Sequence, residues 1–214
     1  MTTADGSRTE LVDRLDLVDY RRRVASLYAE VRNRGVGPDS WRWWREARAD
    51  LLLSHPQSPV LSGGFAEDAL QYFEYDATWS VTGEVVPASE GATDFALDEQ
   101  SKFLNIGTVV FERENVEHWL ALFWLAAYGG GLFLPFRDAT NNISTYGAGR
   151  YLLDGAKSAD LGKAASGQLL LDFNFSYHPS CMWDPQWMCP LAPATNVLQA
   201  EVTAGELQPE ASKS

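Results

Sequence analysis

Three stretches in the last third of the chain carry the side chains able to do chemistry. The first, Thr145-Tyr146-Gly147-Ala148-Gly149-Arg150, is a glycine-rich loop running into an expected strand with an arginine at its exit. A guanidinium there grips a carboxylate in a two-pronged fork. That carboxylate is either a ligand's or belongs to Asp138 or Asp172, in which case the glycines only make a tight turn. The loop lacks the strand-to-helix setting and the lysine of a P-loop, and the chain has no GxGxxG, so a nucleotide is a weak reading. In the second stretch, Leu171-Asp172-Phe173-Asn174-Phe175, apolar and polar residues alternate. Asp172 and Asn174 therefore share one face of an extended segment. With Tyr146 or Tyr177 as a hydrogen-bond donor, Asp172 has the chemistry of a general acid or base. The competing reading is a satisfied polar network tying Asp172 to the Tyr146 loop.

The third stretch holds His178, Cys181 and Cys189. Imidazole and thiolates ligate zinc, but the spacing matches no finger and His55 and His118 are far away, so no metal is expected. His178 is also placed to activate Cys181 as a nucleophile. The bland alternative has both cysteines as small buried hydrophobes under a proline-rich loop. Within that loop Trp183 and Trp187 each adjoin a methionine, Met182 and Met188, and they either pack as a lid over a barrel end or line a ligand pocket.

These stretches need elements to hold them. Leu17, Tyr20, Val24, Leu27 and Val31 step by three and four, which predicts a docking helix from Glu10 to Val31. Arg34 to Pro38 breaks it, Asp39 or Ser40 caps a second helix, and Trp41 to Ser54 continues to a stop at His55-Pro56. Beyond Ser58-Pro59, short apolar or alternating runs predict strands at Leu70–Tyr75, Thr78–Val86, Phe103–Phe111, His118–Ala127, Leu132–Phe136, Arg150–Leu153, Gln168–Phe175 and Asn196–Val202. Gly129-Gly130-Gly131 is a hairpin turn between two of them. The expected fold is mainly β (α+β): an antiparallel β-barrel or curved β-sandwich with two N-terminal helices packed on it. Loose ends are expected at 1–8 and 206–214, around one domain at 9–205 that is helical over 9–56 and β-rich over 65–205.

Composition bounds the partners. Of 214 residues 45% are hydrophobic, with eight Trp, ten Phe and eight Tyr, enough for one aromatic-rich core. The net charge of −12 repels phosphate backbones and anionic lipid, so nucleic acid is not expected. The basic groups Arg21 to Arg23 and Arg42, Arg45 and Arg48 read as solvated helix faces. Trp119 to Tyr128 is too short to span a bilayer as a helix, and the first residues show no signal-peptide pattern, so the expected location is cytoplasmic.

Several polar and glycine-rich segments occur in one order: PFRDAT at Pro135 to Thr140, TYGAGRYL at Thr145 to Leu152, LDFNFSYHPSC at Leu171 to Cys181, CPL at Cys189 to Leu191, Asn196, and AGE at Ala204 to Glu206. With the tryptophan helix, Ser58 to Val60 and Leu70 to Asp76 upstream, they resemble the bacterial and archaeal family known as domain of unknown function 1684, from about Trp41 to Glu206. Two positions depart from that family's pattern: Ala139 to Asn142 replaces a threonine-serine-glycine turn, and His178-Pro179 an asparagine-proline pair. The resemblance implies a site and no activity.

The site expected from these residues is an aromatic cavity for a small organic ligand. Asp172, Tyr146 and His178 form its acid–base set, and Arg150, Asn174, Tyr177, Asp138, Trp183 and Trp187 its contacts. An enzyme built this way would be an isomerase, cyclase or hydrolase without a cofactor. The rivals are an interaction module using the tryptophan-rich loop and a metal-dependent hydrolase; a homodimer is left open.

Overall fold

The computed structural model describes residues 3–65, 67–98, 101–126 and 128–209, with side chains from residue 9 onward, 67 excepted. Two helices come first, α1 (Thr3–Arg34) and α2 (Pro38–Ser54). The inward stripe of α1 is Val24, Tyr28 and Val31, all buried, with Leu17, Tyr20 and Leu27 half-buried beside it. α1 starts at Thr3, inside the segment expected to be loose. α2 starts at Pro38 with Gly37 as its cap and no side-chain capping bond, so Asp39 and Ser40 sit inside the first turn instead of capping it. Proline suits that first turn because its missing N–H would have had no partner there. Trp41 and Trp44 are buried, whereas Trp43 lies under the Arg34 guanidinium at 4.3 Å. A one-turn helix, α3 (Pro59–Ser62), follows, with the Ser58 side chain accepting from Val60 N–H.

Among the described residues seven strands form one antiparallel sheet: β1 (Ser80–Pro87), β2 (Phe95–Ala96), β3 (Lys102–Arg113), β4 (Val116–Leu125), β5 (Leu132–Phe136), β6 (Arg150–Asp154) and β7 (Leu169–Asp172). Their order is β6-β5-β4-β3-β1-β7, with β2 also on β3, and the sheet curls into a half-barrel. The curl is visible in β1, whose first half pairs with β7 and whose second half pairs with β3. Gly83 sits at the changeover, where a Cβ would come within 2.3 Å of Val109 and 2.7 Å of Leu171. The β3–β4 hairpin closes through Glu114 and Asn115, both at positive φ, as a tight two-residue turn whose twist matches that of the strands requires.

Three strand expectations give way. Leu70–Tyr75 is extended but forms only the bridge Tyr72↔Glu206, and Asn196–Val202 forms only Val197↔Arg137. The alternating run at 168–175 leaves the sheet at Asp172 and winds into a 3-10 turn, Phe173–Phe175. A fourth finding is a strand not expected, β2, whose Phe95 stacks on Phe103 at 4.6 Å. Asn196 acts as a substitute peptide group. Buried, it accepts from Ala121 N–H and donates to the carbonyls of Ala121 and Pro135, filling the ladder between β4 and β5.

The core has two main parts. Inside the half-barrel Trp79, Val109, Leu120, Leu134, Phe136, Leu171 and Phe173 pack together, and between the helices and the open end lie Tyr28, Trp44, Phe103, Phe133, Tyr151 and Phe175. A third small cluster joins Leu52, Val60 and Trp183. Residues 206–208 are tied in as well: where a loose tail is expected, Glu206 is buried and the N–H groups of Leu207 and Gln208 donate to the carbonyls of Gln71 and Ser144.

Candidate functional site

The polar centre of the molecule is Glu206, fully buried between the helices and the barrel. Arg48 of α2 reaches it with Nη1 2.5 Å from Oε1, and the His178 N–H donates to Oε2 at 2.6 Å. The same Nη1 also donates to the Tyr72 hydroxyl. Burial opposes the Arg48 charge, and the Glu206 carboxylate more than offsets it, so the guanidinium pKa is raised. The expectation of a solvated face fails at Arg48, whose side chain is 11% exposed, and at Arg45, which stacks over Trp41 at 4.5 Å. The signal was present in the sequence, because Arg48 stands four residues after Trp44 and three before Leu51 on the buried stripe.

Tyr146 and His178 are brought together, but through the backbone: the Tyr146 N–H donates to His178 Nε2 at 3.2 Å. That bond places the imidazole proton on Nδ1, which faces Glu206 Oε2 at 3.5 Å without a well-aligned hydrogen bond. Burial, with Arg150 and Arg48 nearby, holds the His178 pKa well below the usual histidine range. The Nε2 lone pair that a base for Cys181 would need is thus engaged by the Tyr146 N–H.

Arg150 and Asp138 also meet, at 3.3 Å, both completely buried. Arg150 spends its terminal nitrogens on Asp138 and on the carbonyls of Val202 and Ala204, while Asp138 accepts from Val202 N–H and the Thr140 hydroxyl. The fork therefore belongs to the fold, clamping the 202–204 segment, and it is not open to a ligand carboxylate. Gly149 (φ +94) sits at its entrance because a Cβ would be 2.3 Å from the Phe136 carbonyl oxygen.

Asp172 and Asn174 form a separate corner. Asp172 caps the 3-10 turn, accepting from the Asn174 backbone and side chain at 3.0 and 2.7 Å and from the Tyr75 hydroxyl at 3.2 Å. Asn174 in turn clamps both backbone groups of Asp76, and its own carbonyl accepts from the Trp41 indole. Burial raises the Asp172 pKa, opposed by the bonds from Asn174, Ser80 and Tyr75. Neither residue lines the cavity beside α1 described next.

An apolar-walled space opens where α1 crosses the mouth of the half-barrel. Its volume is about 340 Å³. Phe103, Phe133 and Tyr151 form the floor, Leu17 and Tyr20 of α1 one wall, and Trp187, Met188 and Cys189 the other. Its polar edge is Lys157 with Asp154, 3.2 Å apart, and Asp154 also accepts from the Tyr177 hydroxyl at 2.9 Å. A smaller cavity of about 30 Å³ lies deeper, lined by Tyr28, Arg48, Tyr177, His178 and Trp183 among others, and shares Tyr20, Pro59, Lys157 and Ser180 with the first. Of the expected contacts, Trp187 thus lines the outer space and Tyr177, His178 and Trp183 the inner one. Sequence reasoning missed Tyr20, Asp154 and Lys157, which lie in elements without a motif.

Cys181 lies on a short helix, α4 (Ser180–Trp183), and Cys189 on the strand of loop that follows; both are half-exposed, contrary to the expectation of buried packing. The Cys181 N–H donates to Cys189 Sγ at 3.3 Å. Among the described residues no three His, Cys, Asp or Glu side chains converge as a metal site, and no helix is long and apolar enough to cross a membrane.

The comparisons agree with this architecture. The chain is similar to the solution NMR structure of an uncharacterized protein from gene locus rrnAC0354 of Haloarcula marismortui, with 30% identity, a TM-score of 0.55, and coverage of 79% of this chain and 95% of that one. A comparison with curated proteins finds no match. Residues 66–207 match the family model described as "Protein of unknown function (DUF1684)", and that span contains the Asp138–Arg150 clamp, the Asp172–Asn174 corner and Glu206. The chain belongs to the DUF1684 family.

Proposed function

We propose that this protein binds a small organic molecule, largely apolar and ring-bearing, in the 340 Å³ space between α1, the half-barrel mouth and the Trp187–Pro190 segment. The observation that carries the reading is the composition of that wall: aromatic and aliphatic over most of its area, with three charged groups in its lining, the Lys157–Asp154 pair and Arg21. Pockets for organic ligands run from about 300 to 1,000 Å³ and combine an apolar wall with few polar groups. The proposal is binding, not turnover. Asp172 and Tyr146 are absent from this wall, and its carboxylate, Asp154, is already held by Tyr177 and Lys157. A docking surface built on the tryptophan loop is less well supported, because Trp183 is 2% exposed, edge-on to Phe65 at 5.3 Å.

Ala156 gives a test, since it lines the space yet is itself exposed, so Ala156→Trp fills the mouth without disturbing the core. Titration with the neutral apolar dye N-phenylnaphthylamine should show binding to the parent and a loss of at least about tenfold, about 1.4 kcal/mol, in the variant. Equal affinity in both would place the dye elsewhere and remove this space as the site.

A further inference from the structure

The two cysteines flank the loop that walls the cavity, and the proposed binding role uses the thiol chemistry of neither. Their geometry is specific. The Cys181 N–H points at Cys189 Sγ from 3.3 Å, so the sulfur of one residue rests against the main chain of the other. This proximity suits the Cα separation below about 7 Å that a disulfide requires. We infer that Cys181 and Cys189 form an oxidisable dithiol, in which the Cys189 thiolate attacks a hydroperoxide and Cys181 then closes a disulfide across the 181–189 loop.

The surroundings assign the roles. Cys189 receives hydrogen bonds from the Cys181 thiol and the Cys181 N–H, and the Lys157 ammonium stands nearby. These outweigh burial and hold the Cys189 thiol below the usual range, whereas Cys181, as the donor, is raised. The other groups around the pair do not cancel this bias: Tyr146 lies beside Cys181, Tyr151 donates its hydroxyl to the Pro190 carbonyl at 2.5 Å, and Asp154 is bonded to Lys157 and Tyr177. Thiolate is the form that attacks peroxide, so Cys189 is the first to react. Cys189 is also the one of the two that lines the cavity, which gives the peroxide a path.

The step balances with one hydroperoxide as oxidant. Cys189 Sγ takes one peroxide oxygen as the O–O bond breaks, giving a sulfenic acid, and the other oxygen leaves protonated, as water or alcohol. Cys181 Sγ then displaces hydroxide from the sulfenic sulfur, and the thiol proton leaves with it as water. Two electrons pass from the two thiols to the peroxide. The product ties Trp187 and Met188, which lie within the closed loop, against the cavity.

The test treats the full chain, at neutral pH, with about one equivalent of hydrogen peroxide and reads intact mass and a chymotryptic digest, which cuts between the cysteines at Trp183 and Trp187. The expected result is a monomer about 2 Da lighter with the two cysteine peptides joined. In Cys181→Ser, dimedone should trap a sulfenic acid at Cys189, while in Cys189→Ser Cys181 should label at least about tenfold more slowly. Two alkylatable thiols after peroxide, a disulfide only between chains, or faster labelling of Cys181 would each overturn the inference. The intact-mass result on the parent needs no variant to fold, and it is independent of whether the cavity takes a ligand.

Discussion

Arg48 and Glu206, 158 residues apart in the chain, face each other in the interior with Nη1 2.5 Å from Oε1 and Nη2 3.4 Å from Oε2. This pair joins the second helix to the end of the β region, and the Glu206 carboxylate also receives the His178 backbone N–H. Removing one partner strands a buried charge, which costs about 3–5 kcal/mol. Urea unfolding should show that loss for Arg48→Met and for Glu206→Gln, and a smaller loss for the double variant than for the sum of the two. Additive losses would mean that the two groups do not act as a pair.

His178 predicts a pH dependence. Its folded-state pKa is depressed by burial and by Arg150 and Arg48, so in the folded chain it stays neutral while the unfolded histidine takes a proton near pH 6.5. The unfolded state then binds more protons, and stability falls as pH drops below about 6.5, by up to about 1.4 kcal/mol per unit. Above that pH this group contributes no slope. His178→Gln keeps an acceptor for the Tyr146 N–H and has no titration, so its stability curve should be flatter by that amount between about pH 6.5 and 5.5. His118 is lowered too, which is why the variant and not the bare slope is compared. Parallel curves would contradict the neutral buried imidazole.

Asp172 separates a fold role from a catalytic one. As the cap of the Phe173–Phe175 turn it should cost about 1–2 kcal/mol when replaced by alanine. Dye affinity at the cavity should stay unchanged in Asp172→Ala once the protein is confirmed folded by circular dichroism. A large loss of affinity with intact stability would return Asp172 to the binding site.

Much of the architecture is legible in the residues. The strands from Phe103 to Phe136 follow apolar runs between turn residues, and the α1 stripe follows helical spacing, because both report one-sided burial. Asp172-Phe173-Asn174 reads as strand because alternation does not distinguish a continuing strand from a capped 3-10 turn; only the contacts with Asp76 and Tyr75 decide it. The motif residues Arg150, Asp138, Asp172 and Asn174 stand out in the sequence, and in the structure they are buried and hydrogen-bonded within the fold. The cavity wall comes from Leu17, Tyr20, Phe103, Phe133 and Lys157, ordinary residues from distant segments, and local patterns carry no signal for such an assembly.

In the proposed function, the space between α1 and the half-barrel mouth takes an organic molecule. Native mass spectrometry of protein purified gently from its own cells, compared with the denatured mass of the same sample, tests it most directly. The expected result is an organic adduct that is released on denaturation and is absent from Ala156→Trp purified in the same way. An adduct retained at equal occupancy by Ala156→Trp, or a bare chain mass together with no dye binding to the parent, would contradict it.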